Sequence, residues 1–284
     1  MKHLLVTLAL FLPSAAPAAT LKQECGGSSW SGYHWCVHRD PFSPSKRTVV
    51  YLHGNGGSER SWPSDDNARL QELLNSHPEG APAIITLSLG GAWFLNEEGG
   101  TFSRSNLEIL LEKALPEAEA KLGFRPSPRV LVGKSMGGFN ATQLFAKAPA
   151  GTFSAAAILC PAQPPLNPFA TRAELETFIQ ARRAYIRPDL VEKWTERFRQ
   201  AYSTPALWKK HDPLELAAGM AASKTPLFLQ ADDQDVFGFY PNAEKFHQAL
   251  VAKGAKVQWH VTTGGQHCQL TEPMVAGLAK FLLQ

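Results

Sequence analysis

The sequence predicts an α/β fold: a mostly parallel sheet flanked by helices, with a helical insertion late in the chain. Three observations predict it. From Arg47 onward, short apolar runs of strand length alternate with helix-length amphipathic segments. Each run ends in a Gly-rich or polar loop, so reactive side chains collect at one sheet edge, beyond the strands' carboxyl ends. The run Val130–Val132 passes directly through Gly133-Lys134-Ser135-Met136-Gly137 into an apolar-periodic segment, Phe139 to Ala148, which ends before Pro149. That is strand, tight turn, helix.

The chain begins with Lys2 and His3, an apolar run from Leu4 to Leu12, and small residues through Ala16-Pro17-Ala18. This reads as a signal peptide over residues 1–18, removed after Ala18, which implies a secreted or periplasmic protein. The apolar run is too short for a membrane anchor, which needs roughly 20 residues. Residues 19–46, rich in Gly, Ser, Trp and Pro, read as an N-terminal extension lying on the main domain, with one hairpin. Export changes the reading of the cysteines. Cys25 and Cys36 bracket a Gly/Ser-rich segment and can close a small loop. Four cysteines allow three pairings. Cys160 and Cys268 both fall at the carboxyl edge of the sheet, and we expect them to be joined if their Cα atoms come within about 7 Å.

The main domain is expected over residues 47–284. Arg47–His53 is a strand closed by Gly54-Asn55-Gly56-Gly57, and a helix follows from about Pro63 to Asn75, capped by Ser61 or Ser64. Ala83–Leu87 is a buried strand whose loop carries Trp93, and Asn106–Leu122 is an amphipathic helix. Phe153–Cys160 is the strand after the Ser135 unit. Residues 161–211 form the insertion, with two helical patterns, Ala173–Ile186 and Leu190–Tyr202, split by Pro188. From Thr171 to Lys210 it holds nine Lys/Arg against five Asp/Glu; we read these charges as a solvated face rather than an anion-binding surface. Asp212-Pro213 opens the next helix. Leu227–Gln230 is a strand followed by Ala231-Asp232-Asp233-Gln234-Asp235, Ala243–Lys253 a helix, and Lys256–Val261 the last strand. His267 lies in the loop after that strand, and Pro273–Leu283 closes the chain.

A net charge of +3 over 284 residues gives no case for nucleic acid. There is no HExxH and no CxxC, so no metal is expected. Gly133-Lys134-Ser135 resembles the end of a phosphate-binding loop, but that motif needs Gly where Pro128 stands. What remains is nucleophilic catalysis. A serine hydroxyl needs a base, and the base needs a carboxylate to fix its tautomer. The order Ser135, an acidic loop, then His267 supplies all three. Asp232, Asp233 and Asp235 compete for the acid. Lys134 is a poor alternative base, because neighbours on a sharp turn point apart. His260 sits within a strand and reads as packing.

The segments YLHGNGG, SLGGAWFLN, VLVGKSMGGFN, LFLQADDQD and TTGGQHC together resemble the esterase D-like serine esterases of the α/β-hydrolase superfamily. That group includes S-formylglutathione hydrolases, feruloyl-type esterases and mycolyltransferases. The resemblance runs from about Arg47 to the C-terminus and is weakest over residues 161–211. It implies an α/β-hydrolase fold, Ser135 as nucleophile, His267 as base and an oxyanion hole from the N–H groups of Met136 and Asn55. It favours Asp235 as the acid, with Asp233 as runner-up. Asp232 stands where the group usually has Gly. His53 and Trp93 are candidates for the pocket wall, His53 also as a loop-shaping residue. The implied activity is hydrolysis of a carboxylic ester, from a small molecule or a polymer, through an acyl-enzyme and without a cofactor. Acyl transfer to a sugar or alcohol, peptidase activity, and a non-catalytic binding protein are the alternatives.

Overall fold

A computed structural model of the chain describes residues 21–63, 65–89 and 105–284. The expected signal peptide, the Ser64 cap and the loop carrying Trp93 lie outside the described residues.

The strands, in chain order, are β1 (Lys22–Ser28), β2 (Tyr33–Arg39), β3 (Thr48–Leu52), β4 (Ala83–Ser88), β5 (Arg129–Lys134), β6 (Ala155–Leu159), β7 (Leu227–Asp232) and β8 (Val257–Thr262). They form one sheet in the order β1-β2-β4-β3-β5-β6-β7-β8. From β4 to β8 every neighbouring pair is parallel. β3, β4, β6 and β7 are buried at every position, which explains why they read as continuous apolar runs: both faces are covered. Alternate residues serve opposite cores. Val50, Leu52, Leu131, Ile158 and Leu229 face one cluster with Leu144, Met220 and Leu250. Val49, Tyr51, Val130, Val132 and Phe228 face the other with Leu70, Leu74, Leu278 and Phe281.

The helices that cover these faces include α1 (Asp65–Asn75) and α10 (Glu272–Leu282) on one side. On the other are α4 (Met136–Lys147), α8 (Pro213–Ala222) and α9 (Tyr240–Ala252). The segment expected as one helix over residues 106–122 is three pieces. α2 (Asn106–Ile109) and α3 (Leu115–Ala120) flank a π-helical turn, Leu110–Ala114. Pro116 has no N–H to continue the α ladder, so the backbone widens just before it. None of the helices among the described residues is long and apolar enough to cross a membrane.

The N-terminal hairpin does not lie on the domain, as expected from its composition, but extends the sheet. β2 pairs antiparallel with β4, Cys36 opposite Thr86, and β1 pairs with β2. Tyr33, Trp35 and Val37 alternate into the core, and Tyr33 Oη donates to Glu117 of α3 at 2.6 Å. Burial and that carboxylate push the Tyr33 phenol up to about 12.

Between β6 and α8 the insertion holds α5 (Arg172–Arg182), α6 (Pro188–Ala201) and α7 (Pro205–His211). α7 was not foreseen, although Thr204-Pro205 carries its signal: the Thr204 side chain accepts the Leu207 N–H at 3.1 Å and Pro205 needs no acceptor. The insertion is seated by aromatic rings. Trp194, Phe198, Tyr202 and Trp208 pack with Met136 and Phe139, the first turn of α4. Phe139 and Phe198 meet edge to face at 5.2 Å.

Candidate active site

Ser135 sits between β5 and α4 with φ 56° and ψ −117°, a left-handed conformation that costs a non-glycine residue about 1–3 kcal/mol. The surroundings over-determine it. Its N–H donates to Leu159 O at 2.9 Å, and its carbonyl accepts N–H groups from Gly138, Phe139 and Ala162. Close packing demands the flanking glycines. A side-chain carbon on Gly133 would strike the Gly137 carbonyl, and one on Gly137 would strike the Leu52 carbonyl. The sequence therefore buries the turn and lifts the hydroxyl out of it.

His267, beyond β8, turns inward to meet that hydroxyl. Its Nε2 is 2.9 Å from Ser135 Oγ and its Nδ1 is 2.6 Å from Asp235 Oδ2. Asp235 is buried at 2% exposure, and its other oxygen accepts the N–H groups of Phe237 at 2.8 Å and Phe239 at 3.4 Å. With Asp235 ionised, Nδ1–H donates to it and Nε2 is left to accept from Ser135. Phe237 and Phe239 pack steeply inclined to the imidazole, with ring centroids 4.6 and 5.9 Å from it.

The three acids separate by partner. Asp233 accepts the Gly264 N–H at 2.7 Å, Asp232 accepts the Gln269 N–H at 3.1 Å, and Asp235 alone reaches the imidazole. All three fasten the loop that carries His267, which the sequence reading, choosing among them for one role, missed. Two backbone bonds join the same loops: Gln234 N to Gly265 O at 3.1 Å and Val236 N to Gln266 O at 2.7 Å.

Asn55 and Ser135 line one open cleft of about 570 Å³, together with Tyr51, Ser61, Lys134 and His267. Gly54 lies beside the serine: a side-chain carbon there would make ordinary contact with Ser135 Cβ at 3.5 Å. Met136 begins α4, so its N–H is one of the first-turn donors without an intrahelical acceptor. His53 is not among the residues lining this cleft but lines a smaller cavity with Ser88, Met136 and Asn140. Its Nδ1 donates to Gly54 O at 2.8 Å, which leaves Nε2 to accept from Ser88 Oγ at 2.9 Å. Burial lowers its pKa below the usual histidine range, as a neutral ring in that role requires. It ties the Gly-rich loop to the end of β4 from behind. His260 stacks on Phe228 at 4.4 Å within the sheet.

Two disulfides are present, Cys25–Cys36 across β1 and β2, and Cys160–Cys268 with Cα atoms 5.1 Å apart. The latter joins the end of β6 to the residue after His267, and Cys160 (φ 40°) and Cys268 (φ 55°) both adopt left-handed backbones. Cys160, His267 and Cys268 are close enough together to suggest a metal site, but both sulfurs are consumed by the bridge and offer no thiolate.

No curated protein matches the sequence. Solved structures do. A ferulic acid esterase superposes with TM-score 0.61 at 17% identity, covering 92% of this chain and 95% of that one. The S-formylglutathione hydrolase from Agrobacterium tumefaciens gives TM-score 0.62 at 15% identity over 95% and 96% of the two chains. MPT51 from Mycobacterium tuberculosis gives 0.61 at 18% over 95% and 98%. At these identities the likeness speaks to the fold. The sequence profile of the alpha/beta hydrolase family matches residues 49–279. That span runs from β3 to α10 and includes the Ser135 turn and the His267 loop, and the chain belongs to the alpha/beta hydrolase family.

Proposed function

We propose that this chain is an exported serine carboxylic-ester hydrolase working through an acyl-enzyme. The observation that carries the reading is the unbroken chain from Ser135 Oγ through His267 to the buried Asp235, at 2.9 and 2.6 Å, beneath an open cleft. His267 takes the Ser135 proton as Oγ attacks the ester carbonyl, and Asp235 stabilises the imidazolium that forms. The carbonyl oxygen, now an oxyanion, accepts the N–H groups of Met136 and Asn55. His267 then returns its proton to the leaving alkoxide. The same imidazole then takes a proton from water as it attacks the acyl-enzyme, and gives that proton to Ser135 Oγ as the acyl–oxygen bond breaks and the acid leaves. The mechanism calls for no cofactor. Export is supported by the pattern of residues 1–18 and by the two disulfides. The helical insertion, seated against Met136 and Phe139, acts as a cap beside the cleft.

The test is a fluorophosphonate label followed by peptide mapping, run beside p-nitrophenyl esters of graded chain length. Adduct on Ser135 with ester turnover is expected; no adduct there would support a binding protein instead. An added alcohol acceptor separates hydrolysis from acyl transfer by its product.

A further inference from the structure

Three buried polar side chains converge two residues beyond His267, and the proposed chemistry uses none of them. Gln230, Asp232 and Thr262, at the adjoining ends of β7 and β8, are exposed at 0%, 1% and 7%. Thr262 Oγ1 donates to the Gln269 carbonyl at 2.5 Å, Gln230 Nε2 donates to Thr262 Oγ1 at 3.1 Å, and Asp232 Oδ1 accepts the Gln269 N–H at 3.1 Å. The Gln269 residue is thus gripped by its N–H and by its carbonyl. The Gly265 turn packs against the same oxygen: a side-chain carbon at Gly265 would collide with Asp232 Oδ1. A buried carboxyl is expensive to keep. Burial raises its pKa above the usual carboxylate range, the N–H of Gln269, the Gln230 amide and the N–H of Cys268 pull it back, and the Asp235 charge adds to the rise.

We propose that Asp232 is a positioning residue for His267: by accepting the Gln269 N–H, with the Gly265 turn packed against the same carboxyl oxygen, it sets where the imidazole stands between Ser135 and Asp235. The proposal rests on the reading of Ser135 and His267 as nucleophile and base. Its mark is a loss of kcat that exceeds any change in KM: Asp232 itself does not line the cleft, and Cys268 and Gln269, which do, stay in place at its edge while the imidazole loses its alignment.

The experiment compares Asp232→Ala and Asp232→Asn in the full disulfide-bonded protein, with p-nitrophenyl acetate turnover and fluorophosphonate labelling of Ser135 as readouts. Removing the acceptor should lower kcat and the labelling rate together by about 10²-fold, the cost of a misplacement near 1 Å, with KM within about threefold of wild type. The Asn variant keeps an oxygen for the Gln269 N–H and should recover to within about tenfold of wild type. A folded Ala variant with wild-type kcat overturns the proposal, as does an Asn variant that falls as far as Ala. If the Ala variant does not fold, Gly265→Ala presses on the same contact and should lower kcat with KM kept; wild-type kcat there also overturns it. Ser135→Ala separates the two readings, since an active Ser135→Ala variant removes the nucleophile assignment itself, whatever Asp232 does.

Discussion

His267 Nδ1 stands 2.6 Å from Asp235 Oδ2, and no other carboxylate of the acidic loop reaches that ring. Three acids within four residues therefore have three different duties. Asp235→Asn keeps the shape but removes the charge that stabilises an imidazolium, and should lower kcat about 10⁴-fold by analogy with known triads. Asp233→Asn loses at most the bond to Gly264, and should cost about tenfold or less. Parallel kinetics of the two variants decide it; a larger loss from Asp233→Asn would reverse the assignment.

Ser135→Ala should remove the covalent route and reduce ester turnover by about 10⁴-fold or more. A second consequence concerns stability. Ser135 is held at φ 56°, and Gly adopts that region without strain. Ser135→Gly should therefore unfold at a higher temperature than wild type while being equally inactive. A calorimetric midpoint at or below wild type would mean that little strain is stored at the turn.

The site was legible in the sequence where its signals are local. Gly133-Lys134-Ser135-Met136-Gly137 needs only the run before it and the helix after it to be read as a turn, and His267 stands out because two glycines free its loop. The acid was not legible from spacing. Asp232, Asp233 and Asp235 differ in how far the strand continues, and β7 runs two residues past the expected Gln230, taking Asp232 into the sheet. The loop-shaping role of His53 takes its form only in three dimensions, because its partner, Ser88, comes from another strand 35 residues away. The hairpin's place in the sheet was hidden for the same reason: composition shows loop-like Gly and Ser, whereas pairing with β4 is a tertiary fact.

Acid should destabilise the fold through its histidines. Burial lowers the pKa of His38, His53, His247 and His260 below the usual 6.5. Below pH 6.5 the unfolded chain takes up protons that these folded rings refuse, so stability falls as pH drops from 6.5 toward their folded values. Asp212 and Asp232, raised by burial, act oppositely: their folded forms keep protons above 3.8 that the unfolded chain gives up. The clean measurement is a difference. His38→Gln, in β2 and not among the residues lining the cleft, should show a shallower decline in Tm between pH 6.5 and 5 than wild type. Parallel curves would mean that His38 does not contribute.

The Cys160–Cys268 bridge should act on chemistry as well as on stability. It joins the end of β6, whose Leu159 carbonyl holds the Ser135 N–H, to the residue after His267. Both ends of the proposed proton path are therefore tied to one covalent link. Closing a loop of this length is worth about 4–5 kcal/mol in the chain-entropy model, so a reduced protein is less stable whatever else it loses. The two effects separate by temperature. A Cys160→Ser/Cys268→Ser variant should have lowered kcat at temperatures well below its own unfolding midpoint, with native circular dichroism, because His267 gains freedom that an intact bridge denies it. The control is Cys25→Ser/Cys36→Ser, whose bridge spans β1 and β2 at the far edge of the sheet and touches nothing in the cleft. That variant should lose thermal stability and keep its kcat. Equal kcat in both variants under conditions where both are folded would reduce the Cys160–Cys268 bridge to a stabilising staple.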